Sequence, residues 1–361
     1  MKTNHDLFFL MRPDGTIAWD FMRHLQFQLS REFLDRFLAL TANPELFDTG
    51  NNIDRTLYAN GLVQSTENHP DAEVNWGWDI LSRIYHFGTK DIPYDSTPSD
   101  VSGWAQLYLE HCQHTLKHTP PVENHGATEG RELKLPPPDK EMKSLFNSLT
   151  KRKTCRAFED NSIQLTDIST ILYFSLGYLK EREDQVDPLV PTRFRHRRSS
   201  PSGGGLNATE GYLYAKNVQG LEPGIYYYNP KNHSLVPRAI GVQTRLGELV
   251  SGQHFADELP FGVFLTARLD KLWWKYKHSR AYRMALIEIG HVAQSLQLVC
   301  TDRGFGTWPT GALAETLLES MGVLYSPHEQ VLFFVGAGQT QGDGIPSSIR
   351  RALDTERQQH G

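Results

Sequence analysis

The chain has 361 residues, 39% hydrophobic and 11% aromatic, enough apolar material for a sizeable core and room for two domains. Its net charge of −5 lacks the basic field of a general nucleic-acid binder, and its three cysteines, Cys112, Cys155 and Cys300, show no CxxC spacing and so form no disulfide framework. The first apolar run, LFFLM, is closed by Arg12 and too short for a signal sequence, and no stretch approaches the roughly 18 apolar residues of a membrane span, so a cytoplasmic protein without membrane or nucleic-acid partners is expected.

LFFLMR and TIAWDFM flank Pro13-Asp14-Gly15 and predict a hairpin. Helical spacing follows in REFLDRFLAL, with apolar residues at 33, 34, 37, 38 and 40, and then in VNWGWDILSRIYHF and SGWAQLYLEHCQHTLKH. TPPVENHGATEGRELKLPPPDKE, with five prolines and two glycines, reads as a linker. The domain boundary is therefore expected near residue 138, with a smaller, mostly helical domain over 1–138 suited by its position to peptide or partner recognition.

The second block opens with a short helix near 139–150 and the basic KRKTCRAF. TDISTILYFSLGYL is a further helix with Thr166 as its expected N-cap. GYLYAKNV, GIYYYNP and HSLVPRAI read as strands, and PFGVFLTARL as a buried strand. A long helix over about 279–302 places Leu286, Ile289, Ala293, Leu296 and Cys300 on a core stripe. RGFGTWPTG reads as a glycine-rich loop, LAETLLESMG as a short helix and EQVLFFVGAG as a closing strand. The fold class is α+β.

In KRKTCRAF, Arg152, Lys153, Thr154 and Arg156 place three cations and a hydroxyl within five residues. Guanidinium forks suit phosphate oxygens, although a solvated basic turn has the same composition. Pro201-Ser202-Gly203-Gly204-Gly205 needs a reason for its backbone entropy: positive φ or close approach to a ligand. Neither GxGxxG nor GxxxxGK[ST] is present. His111, His114 and His118 share a helical face beside Cys112, and Glu288 and His291 stand at i, i+3. Solvated or locally bonded side chains account for both groups, and no metal is expected. FRHRRSS at 194–200 reads as a solvated basic loop.

Five motifs occur in one order: Arg152-x-Thr154-x-Arg156; Pro201 to Leu206 with Glu210; GLEPGIYYYNP; Lys275-Tyr276 with Ala281-Tyr282-Arg283; and Gly290-His291-Val292-Ala293-Gln294. This order resembles the nitroreductase superfamily, and within it the SagB/ThcOx-type azoline dehydrogenases of ribosomal peptide maturation. The resemblance covers about 142–340. It implies an FMN-binding domain over 139–361, built on a central mixed or antiparallel sheet flanked by helices, and a homodimer with flavin at its interface. It also implies a precursor peptide as substrate, with a cyclodehydratase or other peptide-modifying enzyme as partner.

Matched position by position, Arg152, Thr154 and Arg156 correspond to the residues that hold the FMN phosphate. Pro201, Ser202, Gly203 and Gly204 correspond to the loop along the isoalloxazine, with Gln294, Gly304, Gly306 and Gly311 as further cofactor-side positions. Lys275 and Tyr276 correspond to the catalytic pair. Lys277 stands where the family often has Gly, the spacing to Ala281-Tyr282-Arg283 is one residue longer, and Ser295 replaces a common Asn. The implied reaction removes a proton and a hydride from adjacent ring carbons, the hydride passing to flavin N5. A tyrosine, with an ordinary pKa of about 10, becomes a usable base when an ammonium favours its phenolate; a buried lysine is the other candidate base. Cα–Cβ desaturation follows the same logic. A generic NAD(P)H nitro- or quinone reductase and a non-catalytic flavin-binding scaffold are the other readings.

Overall fold

Pro13-Asp14-Gly15 turns the chain between strands β2 (Leu7–Arg12) and β3 (Gly15–Asp20), as its turn chemistry requires. The computed structural model describes residues 1–65, 80–88, 110, 113–121, 132–137, 145–241, 243–277, 279–324 and 328–345. The expected helices over 74–87, 102–118 and 139–150 lie partly outside these residues. By internal packing the chain divides into two compact units, 1–99 and 100–361.

In the first unit, β2, β3 and β4 (Leu25–Leu29) form an antiparallel sheet, and β1 (Lys2–Thr3) pairs with β5 (Val63–Gln64). In β3, Thr16, Ala18 and Asp20 are buried while the residues between them are less so, which is the period-two signature of a half-buried strand. Helices α1 (Arg31–Ala42), α2 (Asn52–Ala59) and α3 (Ile80–Gly88) complete the unit. Besides the expected helices, the described residues of this unit hold two small sheets. Asn51 caps α2 by accepting from the Ile53 amide at 2.8 Å. The buried Asp54 receives the Arg36 guanidinium at 2.7 Å, and that hydrogen bond holds its carboxyl below the ordinary range.

The second unit is built on a seven-stranded antiparallel sheet in the order β11-β12-β10-β7-β8-β9-β6. The strands are β6 (Leu133–Lys134), β7 (Thr209–Ala215), β8 (Gly224–Asn229), β9 (Ser234–Ile240), β10 (Phe261–Arg268), β11 (Gly306–Thr310) and β12 (Glu329–Gly338). β6, which precedes residue 138, pairs with β9 at the sheet edge. Every residue of β10 is buried, because neighbouring strands flank it and both faces are covered. Phe261, Val263, Leu265 and Ala267 point to the face carrying α5 (Leu165–Leu176) and α7 (Tyr282–Asp302); Phe264 points to the opposite core with Tyr212, Tyr227, Trp308 and Phe334. The short helices α4 (Leu145–Lys151), α6 (Leu269–Lys275) and α8 (Glu315–Ser320) fill out the unit.

Three local expectations are revised. Gln164, not Thr166, is the N-cap of α5, so Thr166 lies within its first turn. Leu286 is 45% exposed, because the inward stripe of α7 at that turn runs through Ala285, Glu288, Ile289 and Val292. Most of RGFGTWPTG is not loop: Gly306–Thr310 pairs with β12 as an edge strand, a position that tolerates Pro309.

Candidate functional site

The three glycines at 203–205 form a single 3-10 turn between Ser202 and the strand β7. Gly204 has φ +62°, a left-handed conformation that suits glycine. Space also requires glycine: a Cβ there would lie 2.4 Å from the Tyr276 hydroxyl and 2.9 Å from Lys275 Nζ. At Gly203 a Cβ would fall 1.8 Å from Met284 Cε. Among the described residues the amides of Gly203 and Gly204 donate no hydrogen bond, while the Gly205 amide is taken by the Ser202 carbonyl. The turn therefore presents two unspent N–H groups, a feature suited to an acceptor-rich ligand edge.

Buried charges hold this turn from two sides. On α6, Lys271 and Lys275 stand one helical turn apart and reach the same loop. Lys275 Nζ donates to the Gly204 carbonyl at 3.3 Å and lies 4.5 Å from the Phe194 ring centre and 5.8 Å from that of Tyr276. Lys271 Nζ donates to Glu210 Oε1 at 2.6 Å and to the Asn207 carbonyl at 3.2 Å. Burial lowers the Lys271 pKa, opposed by the Glu210 carboxylate. On α7, the buried Glu288 accepts from Ser202 Oγ at 2.7 Å and from the Thr209 amide at 2.9 Å. Ser202 Oγ in turn accepts from the Asn207 amide at 2.7 Å.

A cleft of about 650 Å³ opens beside the turn, lined in part by Phe194, Arg197, Pro201, Ser202, Gly204 and Asn207. The basic run 194–200 is thus more than a solvated loop. Phe194 and Arg198 are buried, and Arg198 Nη1 donates to the Thr209 carbonyl at 2.5 Å.

A second group forms around the 152–156 segment. Thr154 bridges to Thr307 at the start of β11, the Cys155 amide donates to the Thr307 carbonyl at 2.8 Å, and the Arg156 amide donates to the Gly344 carbonyl at 2.7 Å. Lys153 Nζ is spent on the Asp343 carbonyl at 2.8 Å. Neither the Arg152 nor the Arg156 guanidinium has a partner among the described residues, and Thr154 is exposed, so each side chain is available to an anion. Gly306 packs against Cys155, where a Cβ would lie 2.9 Å from Sγ. Helix α7 links the two groups: Ser295 Oγ lies 2.8 Å from Ser200 Oγ, and Gln297 Oε1 accepts from Thr307 Oγ1 at 3.4 Å.

The structure thus brings Pro201 to Gly204 together with Lys275 and Tyr276, and sets the backbone of the 152–156 segment against Gly306 and Thr307. Three positions stand outside these groups. Gln294 is exposed on α7, Gly304 ends α7 at φ +88° with its amide donating to the Thr301 carbonyl, and Gly311 is exposed beyond β11 next to Phe333. Among the described residues no His, Cys, Asp and Glu group could hold a metal. His111 and Cys112 lie outside those residues, while the His114 and His118 rings pack at 5.1 Å. Lys271 and Glu288 escape sequence reasoning. The i, i+4 relation of Lys271 to Lys275 is the one signal available for the first, and Glu288 is legible in sequence only as a partner of His291.

Residues 149–339, more than half of the chain, match the Nitroreductase family. The chain belongs to that family. It is 25% identical over 312 residues to the trifolitoxin operon protein TfxC of Rhizobium leguminosarum bv. trifolii, covering 84% of this chain and 83% of TfxC. The trifolitoxin-processing protein TfxB of the same organism is 29% identical over 160 residues, 43% of this chain and 42% of TfxB. The microcin B17-processing protein McbC of Escherichia coli is 32% identical over 114 residues, 30% of this chain and 42% of McbC. This nitroreductase-family chain is therefore similar to proteins named for the processing of trifolitoxin and microcin B17, within a family that typically binds flavin.

Proposed function

We propose that the chain is an FMN-dependent dehydrogenase that matures a ribosomally made peptide, oxidising azolines to azoles. One observation carries the reading: the Lys275 ammonium and the Tyr276 hydroxyl converge on Gly204, at the turn whose amides are unspent. The likeness to TfxB and McbC, both named as processing proteins, supports a peptide substrate.

In this reading Arg152, Thr154 and Arg156 hold the FMN phosphate, and Pro201 to Gly204 lie along its ring. Bound FMN supplies the acceptor for a hydride. The chain's own task is the proton. One member of the Lys275-Tyr276 pair removes it from the carbon next to the hydride donor, and the other balances the charge that develops. Full burial of Lys275 keeps its ammonium from being screened by water, so its field acts on the neighbouring phenol. Ring aromatisation then follows from the loss of one proton and one hydride.

The protein is read as a cytoplasmic homodimer that works with a cyclodehydratase. Leu145, Phe146 and Leu149 on α4 and Leu286 and Ile287 on α7 are exposed apolar residues on two helices that pack together, which supports burial against a second copy. The test is mass spectrometry of small peptides encoded beside the gene, co-expressed with this chain and with any cyclodehydratase encoded there. A loss of about two mass units per oxidised site is expected. The reading fails if no mass is lost, or if a Lys275→Ala/Tyr276→Phe variant processes the peptide fully.

A further inference from the structure

The cleft beside the 203–205 turn carries more positive charge than the proposed chemistry uses. Arg182, Arg197 and Arg198 line it together with His196, and among its described lining residues Asp187 is the one carboxylate. The chain itself engages that carboxylate, whose Oδ1 accepts from the Leu189 amide at 2.8 Å. His196 Nδ1 is taken by Glu183 Oε1 at 2.6 Å.

The three arginines share one bonding pattern. Each spends Nη1 on main-chain carbonyls: Arg182 on that of Arg198, Arg197 on that of Phe194, and Arg198 on that of Thr209. Their Nε–Nη2 edges bond to nothing among the described residues. Elsewhere the chain closes this same edge on a carboxylate, in Arg36–Asp54, Arg268–Asp270 and Arg303–Asp167, at 2.6 to 2.9 Å. The two parallel N–H groups of the edge match the two oxygens of a carboxylate. Arg198 is the most demanding of the three. It is 3% exposed, its guanidinium stands 5.3 Å over the Tyr178 ring, and its Nε is buried with no acceptor. A buried cation without a counter-charge is costly, and an anion arriving in the cleft offsets that cost.

We propose that this cleft is a carboxylate-binding subsite for the peptide substrate, with Arg198, Arg197 and Arg182 taking an acidic group close to the residue being oxidised. The proposal rests on the reading that the substrate is a peptide. The carboxylate is an Asp or Glu side chain or the peptide's own C-terminus, which present the same pair of oxygens. Gly204 ties the subsite to the proposed chemistry, since it lines the cleft and its carbonyl accepts from Lys275 Nζ. Leu189, Val190, Pro191 and Phe194 supply an apolar wall for the residues beside the acid. The Nη1 bonds hold the guanidiniums in place beforehand, so little side-chain freedom is lost when the acid binds. The acid thereby sets which residue of the peptide lies at the turn.

The test uses the full chain as purified and short synthetic peptides with one thiazoline, carrying an uncharged BODIPY dye and read by fluorescence anisotropy. Beside the ring the peptides have Glu, Gln or Lys with an amidated C-terminus, and a fourth has Gln with a free C-terminus. The Glu amide or the Gln free acid is expected to bind about tenfold or more tighter than the Gln amide, with the Lys amide weakest. The first pattern assigns the subsite to a side chain, the second to the chain terminus. The acid preference is expected to vanish in Arg182→Gln/Arg197→Gln, where glutamine keeps a donor, and to shrink in Arg198→Lys, which keeps the charge without the fork. Arg182 is exposed and Arg197 half-buried, so the double variant is expected to fold even where Arg198→Lys does not. Equal binding of the four peptides overturns the proposal, as does binding by none. An acid preference that survives in the double variant also overturns it, and flavin lost from that variant would then assign the arginines to the cofactor. Failure to oxidise a bound thiazoline counts against the proposed function alone, since the affinities are read without turnover.

Discussion

Replacing Gly204 by alanine tests the assembly of the proposed site at one atom. The new Cβ carries two separable consequences. The backbone at φ +62° disfavours any L side chain by about 1–2 kcal/mol. The Cβ also falls 2.4 Å from the Tyr276 hydroxyl, against an ordinary contact of about 3.4 Å, so the phenol must retreat by about 1 Å. A displacement of that size in a reacting group costs about 10²-fold in rate. Gly220 separates the two effects, because its φ of +81° is just as restrictive while nothing among the described residues lies within 4 Å of a Cβ there. Both alanine variants are expected to lose similar stability in thermal unfolding. Gly204→Ala alone is expected to lose about 10²-fold in peptide oxidation, measured by timed mass spectrometry at saturating peptide. Wild-type turnover in Gly204→Ala, at a stability loss equal to that of Gly220→Ala, would falsify the convergence of Tyr276 and Lys275 on this turn as a catalytic arrangement.

Glu288→Gln keeps the shape but loses the charge that accepts from Ser202 and Thr209, and is expected to cost about 1.5–3 kcal/mol in chemical denaturation; an unchanged midpoint would show that those bonds hold nothing. Arg156→Ala leaves the backbone bond to Gly344 intact and is expected to weaken flavin retention on gel filtration without lowering thermal stability. Retention equal to wild type would remove Arg156 from the phosphate site. His233 lies between Ser169 Oγ at 2.8 Å and the Tyr228 hydroxyl at 2.9 Å, and burial lowers its pKa. The unfolded chain then binds the proton first as pH falls, so this group's contribution is intact above about pH 6.5 and is lost as pH drops toward the lower folded value. His233→Gln is expected to flatten the acid side of the stability-against-pH curve; an identical slope would refute the linkage.

The parts of this fold that were legible in sequence are those with local causes. Pro13-Asp14-Gly15 closes a hairpin by its own turn chemistry, and Phe261–Arg268 reads as a buried strand because apolar residues occupy both of its faces. The order of motifs from Arg152 to Gln294 carried the family. What escaped depends on partners remote in sequence. Gly306–Thr310 has the composition of a loop and becomes a strand only by pairing with Phe334 to Gly338. β4 reads LQFQL, and nothing in those five letters says that its outer edge faces a groove rather than another strand. Leu286 fits the apolar period of α7 yet stands outside, because Glu288 takes the inward position to meet Ser202 and Thr209.

The exchange of an apolar side chain for a buried carboxylate on α7 also explains how the turn at 203–205 is kept in place. Three consecutive glycines have little intrinsic preference for one conformation, so the surroundings must impose it. A carboxylate accepts from Ser202 and Thr209, at either end of the segment, while two ammonium groups from α6 draw on the carbonyls of Gly204 and Asn207 between them. Donors and acceptors are thus divided: the carbonyls at 204 and 207 are occupied by lysines, and the amides at 203 and 204 remain for a ligand. Each of these ions is buried and would be costly if left alone, so loss of one partner releases the turn rather than merely loosening it. Lys271→Met should therefore leave Glu210 buried without its ammonium and free the Asn207 carbonyl, reducing flavin retention although Lys271 lies outside the cofactor set. If that variant keeps its flavin and its turnover, the conformation of the turn is set by Gly204 and Glu288 alone.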